Sequence, residues 1–126
     1  MFSQPLADVG VRVGNELAWR RVDALAALDE LAKMGYGILG GELWSIRGDH
    51  VVMGLREEDG REATVGWTSE WRTAEETWPA FVTRSIADAK RNVLTRPETD
   101  GMAPLPASSV LYNLTFVSES EYGGVT

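Results

Sequence analysis

A chain of 126 residues has the size of one domain, long enough to bury about two-thirds of the surface its unfolded form exposes. Its hydrophobic fraction of 44% and charged fraction of 25% belong to a folded globular protein and exclude the composition of a disordered chain. The absence of cysteine excludes disulfides, thiolate metal sites and a cysteine nucleophile, and the formal charge of -7 opposes nucleic-acid binding, which needs clustered Lys and Arg.

Met1 to Asp8 carries neither a basic start nor a continuous apolar run, and no later segment approaches the ~20 apolar residues of a membrane span. The expectation is a cytoplasmic domain spanning 1–126, with 1–14 and 119–126 at its periphery. Arg21 to Lys33 repeats Val22, Leu25, Leu28 and Leu31 or Ala32 at helical spacing, which predicts an amphipathic helix. Gly35 and Gly37 tolerate a positive φ after a helix end, so this helix should stop near Met34.

Ile38 to Arg47 is rich in β-branched and aromatic residues and reads as a strand. Its Gly40-Gly41 pair marks a bulge or a close approach of another backbone. His50 to Leu55 and Ala63 to Trp67 predict two further strands, with Asp59-Gly60 suited to the hairpin turn between them. Trp78, Phe81 or Val82, Ile86, Ala89 and Val93 form the stripe of a second helix over Trp78 to Leu94. Thr73 with Glu76 matches a capping box, but a helix begun there would put Pro79 past the first turn. Thr77 as N-cap leaves Pro79 where its missing N–H loses nothing.

Pro97, Pro104 and Pro106 predict an irregular connection, and Ser109 to Ser118 alternates as a last strand, followed by a short, polar, frayed tail. Helix, meander, helix, strand is a segregated order. It predicts an α+β fold with two helices packed on one face of a mostly antiparallel sheet of about four strands.

The search for chemistry returns little. His50 is the single histidine, so imidazoles cannot cluster on a metal and a triad could use only this residue. It reads as a strand-edge residue; an enzyme would have to pair it with Glu42 or Asp49. Glu57-Glu58-Asp59 and Glu75-Glu76 read as solvated turn residues rather than as an acid–base pair. The run Gly35-Tyr-Gly-Ile-Leu-Gly-Gly41 leads from helix to strand, the reverse of a phosphate cradle. No cofactor is implied.

Five tryptophans remain. Trp44, Trp67 and Trp78 fall on predicted elements and are expected in the core. Trp71 lies in a polar connection, Thr68-Ser69-Glu70-Trp71-Arg72-Thr73, where an indole among charges has the pattern of an interface anchor and its rim.

Gly37-Ile-Leu-Gly-Gly-Glu-Leu-Trp44, followed by Thr77-Trp-Pro-Ala-Phe-Val-Thr-Arg-Ser-Ile86, resembles the immunity protein 40 family of bacterial polymorphic-toxin systems. Asn15-Glu-Leu-Ala-Trp19 and Asp23-Ala-Leu25 also resemble that family's approach to its first helix. Glu42 stands where an Asp is usual, and Pro79-Ala80 replaces an acidic pair. The resemblance covers most of residues 15–94. It implies a small non-enzymatic protein that binds and neutralises a co-encoded toxin domain.

Negative charge would speed encounter with a basic toxin. On that reading the partner-binding candidates are Glu42, Glu57, Glu58, Asp59, Glu70 and Trp71, the carboxylates meeting basic groups and Trp71 filling a pocket. The alternative is an adaptor or homo-oligomeric module joined through the edge of its sheet.

Overall fold

The structure, a computed structural model, describes residues 2–56, 62–63, 65–96 and 110–125. The expected Asp59-Gly60 turn and the proline-rich connection lie outside the described residues. The elements in chain order are α1 (Gln4–Val9), β1 (Val11–Val13), β2 (Glu16–Trp19), α2 (Arg21–Lys33), β3 (Gly37–Arg47), β4 (His50–Val52), β5 (Leu55–Arg56), β6 (Glu62–Ala63), β7 (Val65–Thr68), α3 (Trp78–Thr95), β8 (Val110–Val117) and α4 (Glu119–Val125).

The fold is α+β, as the segregated order of elements predicts. Its main sheet is antiparallel and has six strands rather than four, in the order β1-β2-β8-β3-β4 with β7 also on β3. The two additional strands are β1, inside the 1–14 segment that the sequence reading leaves peripheral, and β2, just after it. Gly14, at φ +61°, opens the two-residue turn between Val13 and Glu16, where a glycine in first place suits the twist of a hairpin. Strand β2 then pairs with β8 through Ala18 and Trp19. Strands this short are stabilised by a partner some ninety residues away, which local periodicity does not reveal.

The long strand β3 organises the sheet. Along one edge it pairs with β8 from Gly37 to Ser45; along the other, Gly40–Leu43 pairs with β7 and Ser45–Arg47 with β4. The expected meander is therefore broken: β4 and β7 share one edge of β3, and β5 pairs with β6 in a separate ladder. Ser45 Oγ donates to the Gly54 carbonyl at 2.7 Å, holding the bend between β4 and β5, so His50–Leu55 is not one strand.

The register along β8 shifts between Ile38 and Gly40, which places a bulge beside the glycine pair. Both glycines also permit a close approach. A Cβ on Gly40 would overlap the Trp67 carbonyl oxygen, and one on Gly41 would overlap the Trp67 indole.

Helices α2 and α3 pack on one face of the sheet. Ala24, Ala27, Leu28 and Leu31 of α2 and Trp78, Phe81, Val82, Ile86, Ala89 and Val93 of α3 share a buried cluster with Trp19, Ile38, Leu43, Val110, Tyr112 and Leu114. The α3 stripe matches the expected one. The α2 stripe is rotated: Val22 is 77% exposed, and small alanines take its place, letting the helix seat closely. Trp44, Leu111 and Ala18 form a second cluster on the opposite face.

The helix ends follow the predicted chemistry. Gly35 adopts φ +77°, with Tyr36 N–H donating to the Leu31 carbonyl and Gly35 N–H to that of Ala32, the two bonds of a Schellman motif. Thr77 Oγ1 accepts from Ala80 N–H at 3.3 Å, with Pro79 in the first turn. The polar tail is not frayed in the structure. Ser118 and Glu121 exchange hydrogen bonds at 2.8 and 3.2 Å, a capping box, and Tyr122 of α4 is buried among the core aromatics. Leu6 of α1 is buried as well, and its carbonyl accepts from Trp19 Nε1 at 2.9 Å. Neither terminal segment is peripheral to the core.

Two stability predictions follow from this packing. Gly40→Ala places its methyl against a backbone carbonyl that cannot swing aside, so it should cost about 2 kcal/mol. Gly123→Ala, whose added methyl would meet no other part of the fold within 4 Å, should cost nothing measurable; equal denaturation midpoints for the two variants would remove the close approach as the reason for the glycine at 40. Ser85 is fully buried, and its Oγ accepts from Ile38 N–H at 3.0 Å. Ser85→Ala leaves that donor unsatisfied and should lower stability by about 1–3 kcal/mol in urea unfolding.

Candidate interface around Trp71

Strand β7 ends at Thr68, and α3 begins at Trp78. Between them residues 69–77 have no regular ladder to satisfy their backbone groups, which must find partners elsewhere. Ser69 N–H donates to the Leu39 carbonyl at 2.9 Å. Arg72 N–H donates to Tyr122 Oη at 2.9 Å, and Arg72 Nε to the Glu76 carbonyl at 2.8 Å. Glu76 N–H donates to the Thr73 carbonyl at 3.2 Å.

Arg84, two turns into α3, makes the central contact. Its Nε and Nη2 reach the Glu76 carboxylate at 2.7 and 2.9 Å, a bidentate pairing that fixes geometry as well as charge. The same Nη2 donates to the carbonyls of Glu70 and Trp71 at 3.2 and 3.4 Å. A polar loop is thereby tied to a rigid helix at three acceptors. Hydrogen bonding from Arg84, helped by the Thr73 amide, holds the Glu76 carboxyl below the ordinary glutamate range against the opposing effect of partial burial. The same pairing raises the Arg84 guanidinium.

The tied loop presents Trp71 at 57% exposure. Its indole rests on Tyr122 with ring centroids 5.6 Å apart, and Tyr122 in turn contacts Trp78 and Phe81 at 5.6 and 5.4 Å. An exposed indole thus stands on an aromatic stack that continues into the core. The loop and α4 carry five carboxylates (Glu70, Glu75, Glu76, Glu119 and Glu121) against one guanidinium of their own, Arg72, and Arg84 of α3. Glu119 lies 3.7 Å from Arg72. Glu70 and Glu75 are exposed.

On the other side of Arg84 the surface changes character. A groove of about 670 Å³ runs between β7 and α3, lined by Trp67, Glu70, Arg84, Asp88, Arg91 and Arg96 among others. There Arg91 pairs with Asp88 at 2.5 Å, and Arg96 donates to the neutral Asn92 amide oxygen.

The structure brings together two of the six predicted site residues, Glu70 and Trp71. Glu42 lies elsewhere, on the sheet face opposite the helices, where its Oε1 accepts from the Trp44 indole at 2.8 Å. Glu57, Glu58 and Asp59 lie outside the described residues. Sequence reasoning missed Arg72, Glu76, Arg84 and Tyr122, which hold the loop. The Thr73-Glu76 spacing was a signal, but of a turn rather than of a helix start: Thr73 N–H approaches Glu76 Oε1 at 3.4 Å. His50 is on an exposed edge with its side chain 69% accessible, 3.3 Å from the Asp49 carboxylate. Among the described residues no group of three His, Cys, Asp or Glu side chains is placed to hold a metal, and no helix is long and apolar enough to cross a membrane.

The two segments that carry the family resemblance meet in space. Ile38 donates its amide to Ser85, the Trp78 indole donates to the Gly35 carbonyl at 2.8 Å, and Gly37 sits where a Cβ would strike Phe81. The family model described as Immunity protein 40 matches residues 5–104. The chain belongs to the immunity protein 40 family. No curated protein and no solved structure matches it. The 37–44 and 77–86 segments of this immunity protein 40 member thus join strand to helix, and Arg84 links that joint to the loop of Trp71.

The pH dependence of the loop follows from the depressed Glu76. A carboxylate whose folded-state pKa lies below its unfolded value of about 4.3 adds stability that is complete above that value. The contribution is lost as pH falls through the folded one. Glu76→Gln should therefore lower the unfolding midpoint at pH 7, and its deficit against the parent chain should shrink as pH falls below about 4. Midpoints measured between pH 7 and 3 check this; a constant deficit would mean that the Glu76 charge is not what Arg84 holds.

Proposed function

We propose that this chain neutralises a cognate bacterial toxin domain by binding it, in the cytoplasm of the cell that makes both, through a preformed surface centred on Trp71. Family membership supports the class of activity. The observation that carries the choice of surface is an indole more than half exposed on an irregular loop whose carbonyls are fixed by Arg84. Ordering a loop and its side chains at the moment of association costs affinity, and a loop already held in place avoids that cost. A rigid aromatic anchor inside a polar rim is the arrangement that dominates binding energy at protein interfaces.

Such a protein needs no reacting group. It needs ~800 Å² of complementary surface, with carboxylates that favour encounter with a basic partner. Inhibition then results from occupancy of the toxin's own site or from blocking its substrate.

Co-expression with the toxin domain encoded beside this chain tests the reading. The parent chain should restore growth and co-purify with that domain, and Trp71→Ala should weaken the complex by roughly 2 kcal/mol without altering the unfolding midpoint. Continued cell death in the presence of well-expressed, folded parent chain would refute neutralisation.

A further inference from the structure

The aromatic stack under Trp71 already uses one interaction twice. Arg72 places its guanidinium 5.7 Å from the Trp78 ring centroid, and Arg84 lies 5.2 Å from that of Phe81. Both fall within the ~6 Å at which a cation is attracted to the electron-rich face of a ring. Trp71 is the most exposed ring of the four, it belongs to the side chain that gives the strongest such attraction, and no cation lies over it among the described residues. The loop that carries it has more acid than base: Glu70 and Glu75 are exposed beside the single Arg72, and Glu119 of α4, 3.7 Å from Arg72, leaves 62% of its side chain accessible.

We propose that Trp71 is the receptor for an arginine side chain of the partner, whose guanidinium stacks on the indole while Glu70, Glu75 and Glu119 supply opposing charge. A planar, weakly hydrated guanidinium stacks on an aromatic face more readily than a compact, strongly hydrated ammonium. The same choice is made within the molecule, where the cations over Trp78 and Phe81 are both arginine. The chemistry also agrees with a toxin whose surface is basic, so the assignment deepens the neutralising reading and depends on it for the identity of the partner. Recognition of the guanidinium itself does not depend on it.

The shelf can be tested on the full chain without any toxin. The probes are blocked hexa-arginine, hexa-lysine and an uncharged Gly-Leu hexapeptide, each titrated while the tryptophan indole N–H resonances are followed by NMR. Each of the five tryptophans contributes one such signal, and the signal absent from Trp71→Leu identifies Trp71. Hexa-arginine should move that signal saturably and ahead of the other four, hexa-lysine should bind several-fold more weakly, and the Gly-Leu peptide should leave it unmoved. Trp71→Leu should weaken hexa-arginine binding by about five- to tenfold. Because the indole is largely exposed, the unfolding midpoint of this variant should match the parent and so certify its fold.

Three results would overturn the proposal: a Trp71 signal that stays still while other sites respond, equal affinity for hexa-arginine in parent and Trp71→Leu, or a response to the Gly-Leu peptide as large as to hexa-arginine. The last would assign the shelf to an apolar side chain instead. If the peptides behave as expected but co-expressed toxin still kills, the guanidinium shelf stands and the neutralising function falls. If the toxin is silenced equally by Trp71→Leu and the parent, the neutralising function stands without this surface.

Discussion

The close contact of β3 with β7 is the constraint on which the rest of the molecule depends. At Gly40 and Gly41 there is no room for a side chain, because the carbonyl and indole of Trp67 occupy the space. That contact fixes β7 in register against β3, and the Ser69 amide then continues onto the Leu39 carbonyl. The loop that follows leaves the sheet at a defined point and in a defined direction. Every residue from Glu70 to Glu76 inherits its position from this exit and from Arg84, which meets it from the helix side.

Charge plays two different parts around Arg84. Toward Glu76 it is spent inside the protein, where a bidentate ion pair and two carbonyl acceptors replace a backbone ladder that the loop lacks. The pair is part-buried and bidentate, so besides its stability it supplies geometry: it converts an irregular segment into a fixed one. Glu70 and Glu75 instead face water, and Glu119, 3.7 Å from Arg72, keeps most of its side chain exposed. Within -7 overall, the carboxylates that could act on another molecule are therefore fewer than the composition suggests. Glu30, bonded to Ser3 at 2.8 and 2.7 Å, and Glu121, bonded to Ser118, are likewise committed to holding the chain ends, with their carboxyls below the ordinary range for the same reason.

Much of this was legible in the sequence where the cause is local. The bounds of α2 and α3, the Gly35 cap, the Thr77 cap with Pro79 and the disturbance at Gly40-Gly41 all rest on residues within a turn of one another. The phase of α2 was misread because Ala24 and Ala27, which make the close packing possible, carry a weaker hydrophobic signal than exposed Val22. The pairing of β2 with β8 and the burial of Tyr122 rest on contacts between segments distant in the chain, and no local window of sequence contains them. The Ser118-x-x-Glu121 capping box was available but lay in a segment dismissed as tail. At the candidate site the exposed Trp71 could be picked out from its charged neighbours, whereas the guanidinium that positions it sits thirteen residues away on another element.

The residues that carry the family resemblance explain why an immunity protein can be recognised by sequence without revealing its target. Gly40 and Gly41 admit β7, Ser85 satisfies the Ile38 amide, Gly37 makes room for Phe81, and even Glu42 is bonded to the Trp44 indole. Ser85 and Gly37 serve the joint between strand β3 and helix α3, Gly40 and Gly41 the contact of β3 with β7, and Glu42 the face of the sheet opposite the helices. A scaffold of this kind holds its recognition loop from beneath, so residues on the outer side of the loop can change with little strain as long as the joint is intact. Arg84 stands at the boundary between the two: it lies within the segment that defines the family, yet its guanidinium fixes the carbonyls of Glu70 and Trp71. A substitution there would loosen the loop while leaving the core packed, which separates the frame of the molecule from the surface proposed for its partner.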